Sequence, residues 1–248
     1  MTASLEWAAV AEQLTNAPPL LGPHEVHVWS FGLETSSRTV DALIPLLDER
    51  QQARAGRLHP GIERERYVVA HATTRRILGH YLDSDPARLA LEYGPHGKPV
   101  LAAPPASLHF NLSHSARRAL LAVSRVCEVG VDLESLQRRF DPTRLAERFF
   151  TPPEVAELQG LPPAERPAGF LRAWTRKEAL VKAMGLGITV NLRRLRVSLD
   201  PDRLSWWPMT PDILAADWEL HDLPAIPSFV AALAARGKDW ALRCWELS

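Results

Sequence analysis

Two carboxylates stand two residues apart in a short apolar segment, Gly130-Val131-Asp132-Leu133-Glu134. In a β-strand alternate side chains point to opposite faces, so Asp132 and Glu134 would share one face. Two negative charges roughly 7 Å apart on one strand face repel each other unless a cation or a proton lies between them. Such hard oxygen ligands suit Mg²⁺, which takes one or two carboxylates together with phosphate oxygens. The alternative is that both carboxylates lie on the solvated face of an edge strand.

A second cluster follows at helical spacing in Trp174-Thr175-Arg176-Lys177-Glu178-Ala179-Leu180-Val181-Lys182. Residues four apart share one side of a helix, which places Trp174, Glu178 and Lys182 in a row. In a catalytic use of this row, Glu178 would complete a metal shell and accept a proton, while Lys182 would stabilise phosphoryl charge. The alternative is an ordinary surface pair of Glu178 and Lys182 worth about 0.2–0.5 kcal/mol.

Groups that could contact an anion come before the acidic segment. The run Asn111-Leu112-Ser113-His114-Ser115 offers hydroxyls and an imidazole, and the loop at residues 93–99 presents Lys98 among glycines and prolines. The alternatives are a polar turn capped by its own serines and a lone exposed lysine. A basic stretch, part of which must be solvated helix surface, also precedes these groups: Arg50, Arg54, Arg57, Arg64, Arg66, Arg75 and Arg76.

These groups need a mixed framework of helices and strands to position them. Alternation and turn residues predict strands at 25–31, 109–113, 119–124 and 128–134, and β-like runs at 195–199, 218–223, 229–234 and 241–245. Helical spacing predicts helices at 63–82, 142–150 and 168–184. A capping box at Thr151 starts a further helix, and Gly185 suits the cap of the last one. We therefore expect an α+β protein in two halves, residues 1–118 and 119–248.

Composition indicates a globular protein whose net charge does not attract a highly charged partner. The chain has 248 residues with 46% hydrophobic content, enough for one sizeable core or two small ones. Its 29 basic and 29 acidic residues balance, so we expect neither nucleic-acid nor membrane binding. The two cysteines, Cys127 and Cys244, are too few for a disulfide framework or a zinc site. Without a long apolar run or a basic leader, the sequence predicts a cytoplasmic protein.

The order of these motifs resembles the Sfp-type 4′-phosphopantetheinyl transferases. The signature blocks of that family stand here as Gly97-Lys98-Pro99, Asn111 to Ser115, Gly130 to Glu134, Arg148-Phe149-Phe150 and Trp174 to Lys182. Together they span about residues 95 to 185. Ala179 makes the helix similar to the Lys-Glu-Ala subgroup of the family.

The resemblance implies two similar α/β halves related by a pseudo-twofold axis, with coenzyme A bound in the cleft between them. The first half would contact the phosphates of coenzyme A, and the second would carry the metal site and the catalytic helix. Mg²⁺ would be held on the pyrophosphate by Asp132, Glu134 and Glu178. Glu178 would also act as general base, and Lys182 would ease departure of 3′,5′-ADP. The implied coenzyme A contacts are Arg54, Arg66, Lys98, Pro99, Ser113, His114, Lys177 and Lys182.

The same resemblance implies a transferase that moves the 4′-phosphopantetheine arm of coenzyme A to a serine of an apo acyl or peptidyl carrier protein. The carrier would belong to a polyketide or nonribosomal peptide synthase, and a monomer would suffice because the cleft lies within one chain. Two alternatives stay open: a non-catalytic protein that binds coenzyme A or the carrier, and a metal-dependent nucleotide hydrolase that uses the same carboxylates on water.

Overall fold

A computed structural model describes residues 6–10, 19–102, 108–187 and 192–247, without the side chains of residues 9 and 10. The described helices are α1 (Ser37–Leu43), α2 (Glu49–Arg57), α3 (Ile62–Leu82), α4 (Pro142–Phe149), α5 (Pro152–Gly160) and α6 (Arg166–Ala183). The described strands are β1 (Trp7–Val10), β2 (Glu25–Gly32), β3 (Leu91–Tyr93), β4 (Pro99–Leu101), β5 (His109–Ser115), β6 (Arg118–Ser124), β7 (Val129–Ser135), β8 (Leu195–Val197), β9 (Trp206–Pro208), β10 (Trp218–Asp222), β11 (Phe229–Arg236) and β12 (Ala241–Leu247).

The larger sheet has the strand order β1-β12-β2-β6-β5. Strand β12 runs parallel to both of its neighbours, whereas β2, β6 and β5 pair antiparallel. Alternation along β2 sends Trp29 and Phe31 into a core shared with α3, and Val26 and Val28 into a second core on the opposite face. The sheet combines strands from both sides of residue 118, because β12 pairs with β2. A boundary at residue 118 therefore does not separate the sheets, and as a domain division it stays a prediction.

The smaller sheet, β10-β11-β7, is antiparallel and carries α6 on one face. Its other face packs against the larger sheet through Val129, Val131 and Leu133, which are at most 1% exposed. The alternation predicted for this segment is thus confirmed, and it turns Asp132 and Glu134 toward α6. Helix α6 ends at Ala183, one residue before the predicted end, and the predicted cap Gly185 has the left-handed φ of 67°.

Most predicted elements are confirmed, including the capping box at Thr151, whose backbone N–H donates to Glu154 at 2.7 Å. Helices α1 and α2 and strands β1, β3, β4 and β9 were not predicted. The strand predicted at 109–113 ends two residues too early. Strand β5 runs on to Ser115, and only residues 116 and 117 turn the chain, with Ala116 at a φ of 51°. No helix of the described residues is long and apolar enough to cross a membrane.

Candidate active site

Strands β5 and β7 belong to different sheets but lie side by side. Alternate side chains of β5 bridge them: Asn111 Oδ1 accepts from Val131 N (2.9 Å), Ser113 Oγ donates to Asp132 Oδ1 (2.8 Å), and Ser115 Oγ donates to Glu134 Oε2 (3.1 Å). The period of two places all three polar groups on one side of β5. The motif is therefore a strand that joins the two sheets, and its interpretation as a polar turn capped by serines is wrong.

Asp132 lies in the interior between β5, β7 and α6, and only 5% of it is exposed. Its Oδ1 accepts from Ser113 Oγ and from Lys182 Nζ, the latter at 2.5 Å. Its Oδ2 is buried and has no hydrogen-bond partner among the described residues. A buried carboxylate oxygen without a donor is uncommon, because desolvation is not compensated there. The alternative of a solvated edge-strand face is wrong for Asp132.

Glu178 faces the same interior from α6 and is 7% exposed. Burial, followed by the negative charge of Asp132, raises its pKa to about 7, although Lys182 opposes the shift. Burial and Asp132 also raise the pKa of Glu134. The three carboxylates are thus close enough to affect one another, and they favour a cation or a shared proton.

Lys182 binds to β7 and to β5. Its ammonium donates to Asp132, to Ser113 Oγ (3.1 Å) and to the carbonyl oxygen of Val131 (3.2 Å). No ion pair joins it to Glu178 among the described residues. The alternative of an exposed helical Glu178–Lys182 pair is therefore wrong. Glu178 and Lys182 face β7, whereas Trp174 packs against Phe149 and Phe170.

The oxygen donors fit a hard divalent cation, although no three acidic, histidine or cysteine side chains of the described chain are already arranged as a metal cluster. The fit rests on the unpartnered Oδ2 of Asp132 and on the burial of Glu134 and Glu178 near it, which raises the pKa of both although Lys182 opposes the shift. Carboxylate oxygens are the donors that Mg²⁺ prefers. These residues are able to hold Mg²⁺.

The predicted anion-binding groups of the first half come near this site. Partial burial and the charge of Lys182 lower the pKa of His114, and Arg54 and Arg66 act in the same direction. Both arginines therefore lie within electrostatic range of His114. Arg66 pairs with Glu34 at 3.1 Å, and its Nε is buried without a partner among the described residues. The cluster thus places an imidazole and two guanidinium groups close to the carboxylates, and such donors suit an anionic ligand, although Arg66 also pairs with Glu63 at 3.6 Å.

The Gly-Lys-Pro loop connects β3 to β4 and reaches across to α6. Pro99 begins β4 opposite Tyr93. Lys98 is not a lone exposed lysine, because its ammonium donates to the carbonyl oxygens of Lys182 and Val129. A cavity of about 140 Å³ lies between this loop and α6, and it is lined in part by Lys98, Asn111, Glu178 and Lys182.

The structure corrects the expectation that Lys177 contacts coenzyme A. Its ammonium is fully buried on another side of α6 and pairs with Glu154 Oε2 at 2.7 Å. It also donates to the carbonyl oxygens of Leu192 and Leu195. Because its charge is paired with Glu154 and its side chain is 0% exposed, a phosphate cannot reach it. Lys177 anchors α6 and does not line the cleft.

Sequence analysis missed the roles of Ser115 and Glu154. Ser115 holds Glu134, and the polar alternation through Asn111, Ser113 and Ser115 is the signal that indicates a strand there. Glu154 was assigned only to a helix cap, yet it is also the counter-ion of Lys177. That pairing has no local sequence signal, because the two residues are brought together by tertiary packing.

Comparison with known proteins gives consistent similarities. Residues 128–234 match the 4′-phosphopantetheinyl transferase superfamily. The chain is 35% identical over 224 residues to 4′-phosphopantetheinyl transferase HetI from Nostoc sp., covering 90% of this chain and 92% of the relative. It is 30% identical over 169 residues to 4′-phosphopantetheinyl transferase psf-1 from Bacillus pumilus, covering 68% and 71%. It is 27% identical over 162 residues to 4′-phosphopantetheinyl transferase from Bacillus subtilis, covering 65% and 70%.

Proposed function

Because the chain belongs to the 4′-phosphopantetheinyl transferase superfamily, we propose that it transfers the phosphopantetheine arm of coenzyme A to a serine of an apo acyl or peptidyl carrier protein. The serine oxygen attacks the phosphorus that bears the arm, and the bond to 3′,5′-ADP breaks. One observation carries the proposal. Asp132 and Glu134 of β7 lie close to Glu178 of α6, and Lys182 binds Asp132. Phosphoryl transfer needs such positioning and charge neutralisation more than covalent help.

Glu178 is the general base in this proposal. We assign this role to Glu178 because it reaches the site from α6, opposite Asp132 and Glu134 on β7, and a carboxylate there would accept the proton of the serine hydroxyl. Mg²⁺ held by Asp132, Glu134 and Glu178 would neutralise charge on the pyrophosphate. Lys182, a point cation beside Asp132, binds the same pyrophosphate and stabilises the leaving 3′,5′-ADP.

The phosphates of coenzyme A occupy the basic cluster of the first half in this proposal. His114, Arg54 and Arg66 contact the 3′-phosphate, and the unpartnered Nε of Arg66 supports a ligand there. Ser113 Oγ, beside Lys182, contacts the pyrophosphate, and Pro99 lies against the adenine. We place the cofactor in a cleft between two halves related by a pseudo-twofold axis. The arrangement of one long helix on each sheet, α3 and α6, supports this relation.

The carrier docks beside Glu134 in this proposal. A groove of about 230 Å³ is lined by Phe149, Phe170 and Trp174 and also by Glu134 and Arg138. An apolar groove with arginine nearby suits an acidic carrier helix, since carrier proteins are usually acidic. We propose a polyketide or nonribosomal peptide synthase as the source of the carrier. A monomeric cytoplasmic enzyme is sufficient for this reaction.

Intact-protein mass spectrometry tests the function directly. A purified apo-carrier is incubated with this protein, coenzyme A and Mg²⁺, beside a chelator control and the Glu178→Gln variant. The proposal expects the carrier to gain the mass of one phosphopantetheine arm only with wild-type protein and metal. Release of 3′,5′-ADP without carrier would favour the hydrolase. Binding of coenzyme A without any modification across several acyl and peptidyl carriers would favour the non-catalytic alternative.

A further inference from the structure

Lys98 makes the direct connection between the β3–β4 loop and the catalytic helix. Its Nζ donates to the carbonyl oxygen of Lys182 at 2.8 Å and to that of Val129 at 3.0 Å. Both acceptors belong to the second half of the chain, 84 and 31 residues away. One side chain of the first half thus holds two elements of the second.

The acceptor on α6 lies in the last turn of the helix, which ends at Ala183. The final carbonyl groups of a helix lack intrahelical donors and carry the negative end of the helix dipole. A cation there both satisfies a carbonyl and interacts favourably with the dipole. The amide of Gly185 donates to the same carbonyl at 3.3 Å, so Lys98 is a second donor, supplied from a distant loop, that caps Lys182 itself.

The second acceptor, Val129, begins β7, the strand of Asp132 and Glu134. The next residue, Gly130, presses against α6 so closely that an added Cβ would lie 2.2 Å from Ala179 O. Lys98 consequently binds the strand and the helix where they are in closest contact. Its two hydrogen bonds fix the end of α6 relative to the carboxylates of β7.

Lys98 has no carboxylate within ion-pair distance in the described part of the chain. Burial lowers its pKa to about 8, partly offset by Glu128. Burying a lysine without a counter-ion lowers the stability of the fold. This cost indicates that the two hydrogen bonds to carbonyl oxygens have a role beyond stability. Two of its three N–H groups are already used, and the remaining one faces no described acceptor.

We propose that Lys98 is a positioning residue that fixes Lys182 and the end of α6 against β7, and that it promotes transfer through Lys182 and not through the 3′-phosphate of coenzyme A. The inference rests on the proposed transferase function, because it assigns Lys98 a part in that reaction. The proposal gives Lys98 a different role from Arg54, Arg66 and His114, which would contact phosphate.

The test compares coenzyme A with 3′-dephospho-coenzyme A in the wild type, Lys98→Met, Lys98→Arg and the exposed control Lys238→Met. A positioning role predicts that Lys98→Met lowers kcat by about tenfold or more with both substrates, in equal proportion. Lys98→Arg should recover part of the rate, since it retains a cation with several donors. Lys238→Met should behave as wild type. A loss seen with coenzyme A and absent with the dephospho substrate, or no loss with either, would overturn the proposal.

Hydrogen exchange of the backbone amides at residues 180–186 gives a second readout that needs no turnover. Lys98→Met should exchange faster there than the wild type and Lys238→Met, while the core amides of α3 stay protected. Unchanged exchange at the end of α6 would overturn the proposal even if activity fell. If the wild type transferred nothing from either substrate, the proposed function would fail, and exchange would still decide whether Lys98 holds the helix.

Discussion

The backbone of Gly130 on β7 touches the backbone of Ala179 on α6, so that a Cβ added to Gly130 would lie 2.2 Å from the carbonyl oxygen of Ala179. The same Cβ would lie 2.2 Å from the amide nitrogen of Ala183, one turn further along. Backbone atoms cannot move aside as the end of a flexible side chain can. The distance between the carboxylates of β7 and Glu178 on α6 is therefore set by a glycine.

The Gly130→Ala variant should be destabilised by about 1–3 kcal/mol, because α6 must move away from β7. Any protein that still folds should lose transfer, since Glu178 moves with the helix. Urea unfolding and the carrier mass assay measure the two effects. The control is Gly56→Ala in α2, where an added Cβ meets nothing within 4 Å and should stabilise by about 0.5–1 kcal/mol. Equal stability of the two variants would contradict the close contact.

Mg²⁺ binding should release a proton, because burial and Asp132 raise the pKa of Glu178 to about 7. Below that pH the metal competes with a proton on Glu178, so its affinity should rise as the pH increases through about 7 and then level off. Calorimetry in two buffers with different ionisation heats would detect the released proton as a difference in apparent enthalpy.

The Glu178→Gln variant is the matched control for proton release. It keeps the size of the side chain, cannot bind a proton in this range and should show the same apparent enthalpy in both buffers. Its remaining Mg²⁺ affinity should depend less on pH. Buffer-independent enthalpy in the wild type would contradict the raised pKa of Glu178 or its place in the metal site.

Local patterns were sufficient to predict which side chains of β7 face the interior beside α6 and where α6 ends. Alternation along residues 128–134 separates Val131 from Asp132, and spacing of four places Glu178 and Lys182 on one side of α6. The same helical geometry turns Lys177 roughly 100° away from Glu178. Its assignment to coenzyme A came from the resemblance and ignored this rotation.

Contacts between distant segments could not be predicted. The Lys98 bonds to Lys182 and Val129 depend on how a loop of the first half meets α6, which no local pattern encodes. Strand β12 pairs with β2 across more than two hundred residues of chain, so a division by sequence position did not anticipate the shared sheet. The resemblance identified the motifs and their order along the chain, whereas the structure shows which residues they contact.

Acid should destabilise the protein in part through His71. Burial, followed by the positive charges of His114 and Arg54, lowers its pKa to about 3. Gln51 Nε2 lies 3.2 Å from its Nδ1, as expected for a neutral ring that accepts this bond. The unfolded chain binds a proton at His71 near pH 6.5, whereas the folded chain does so only near pH 3. His71 therefore contributes its full stabilisation above about pH 6.5. As the pH falls toward 3, the free energy of unfolding decreases by at most about 1.4 kcal/mol per pH unit.

Urea unfolding at a series of acidic pH values would measure this dependence. His71→Gln should lose stability less steeply than the wild type over that window, because its side chain does not titrate. His24→Gln, at an exposed position, should follow the wild type. Parallel curves for wild type and His71→Gln would show that His71 does not contribute to acid unfolding.

The buried pair of Lys177 and Glu154 should be among the most sensitive sites in the second half. Both side chains are 0% exposed, and Glu154 also accepts from Val197 N at 2.8 Å. Lys177→Met leaves Glu154 as an uncompensated buried charge, so we expect a loss of about 3–5 kcal/mol in the free energy of unfolding. The comparison is Arg88→Ala, which removes the exposed pair with Asp85 and should cost less than about 1 kcal/mol. A Lys177→Met variant with native stability and weakened coenzyme A binding would return Lys177 to the cofactor site.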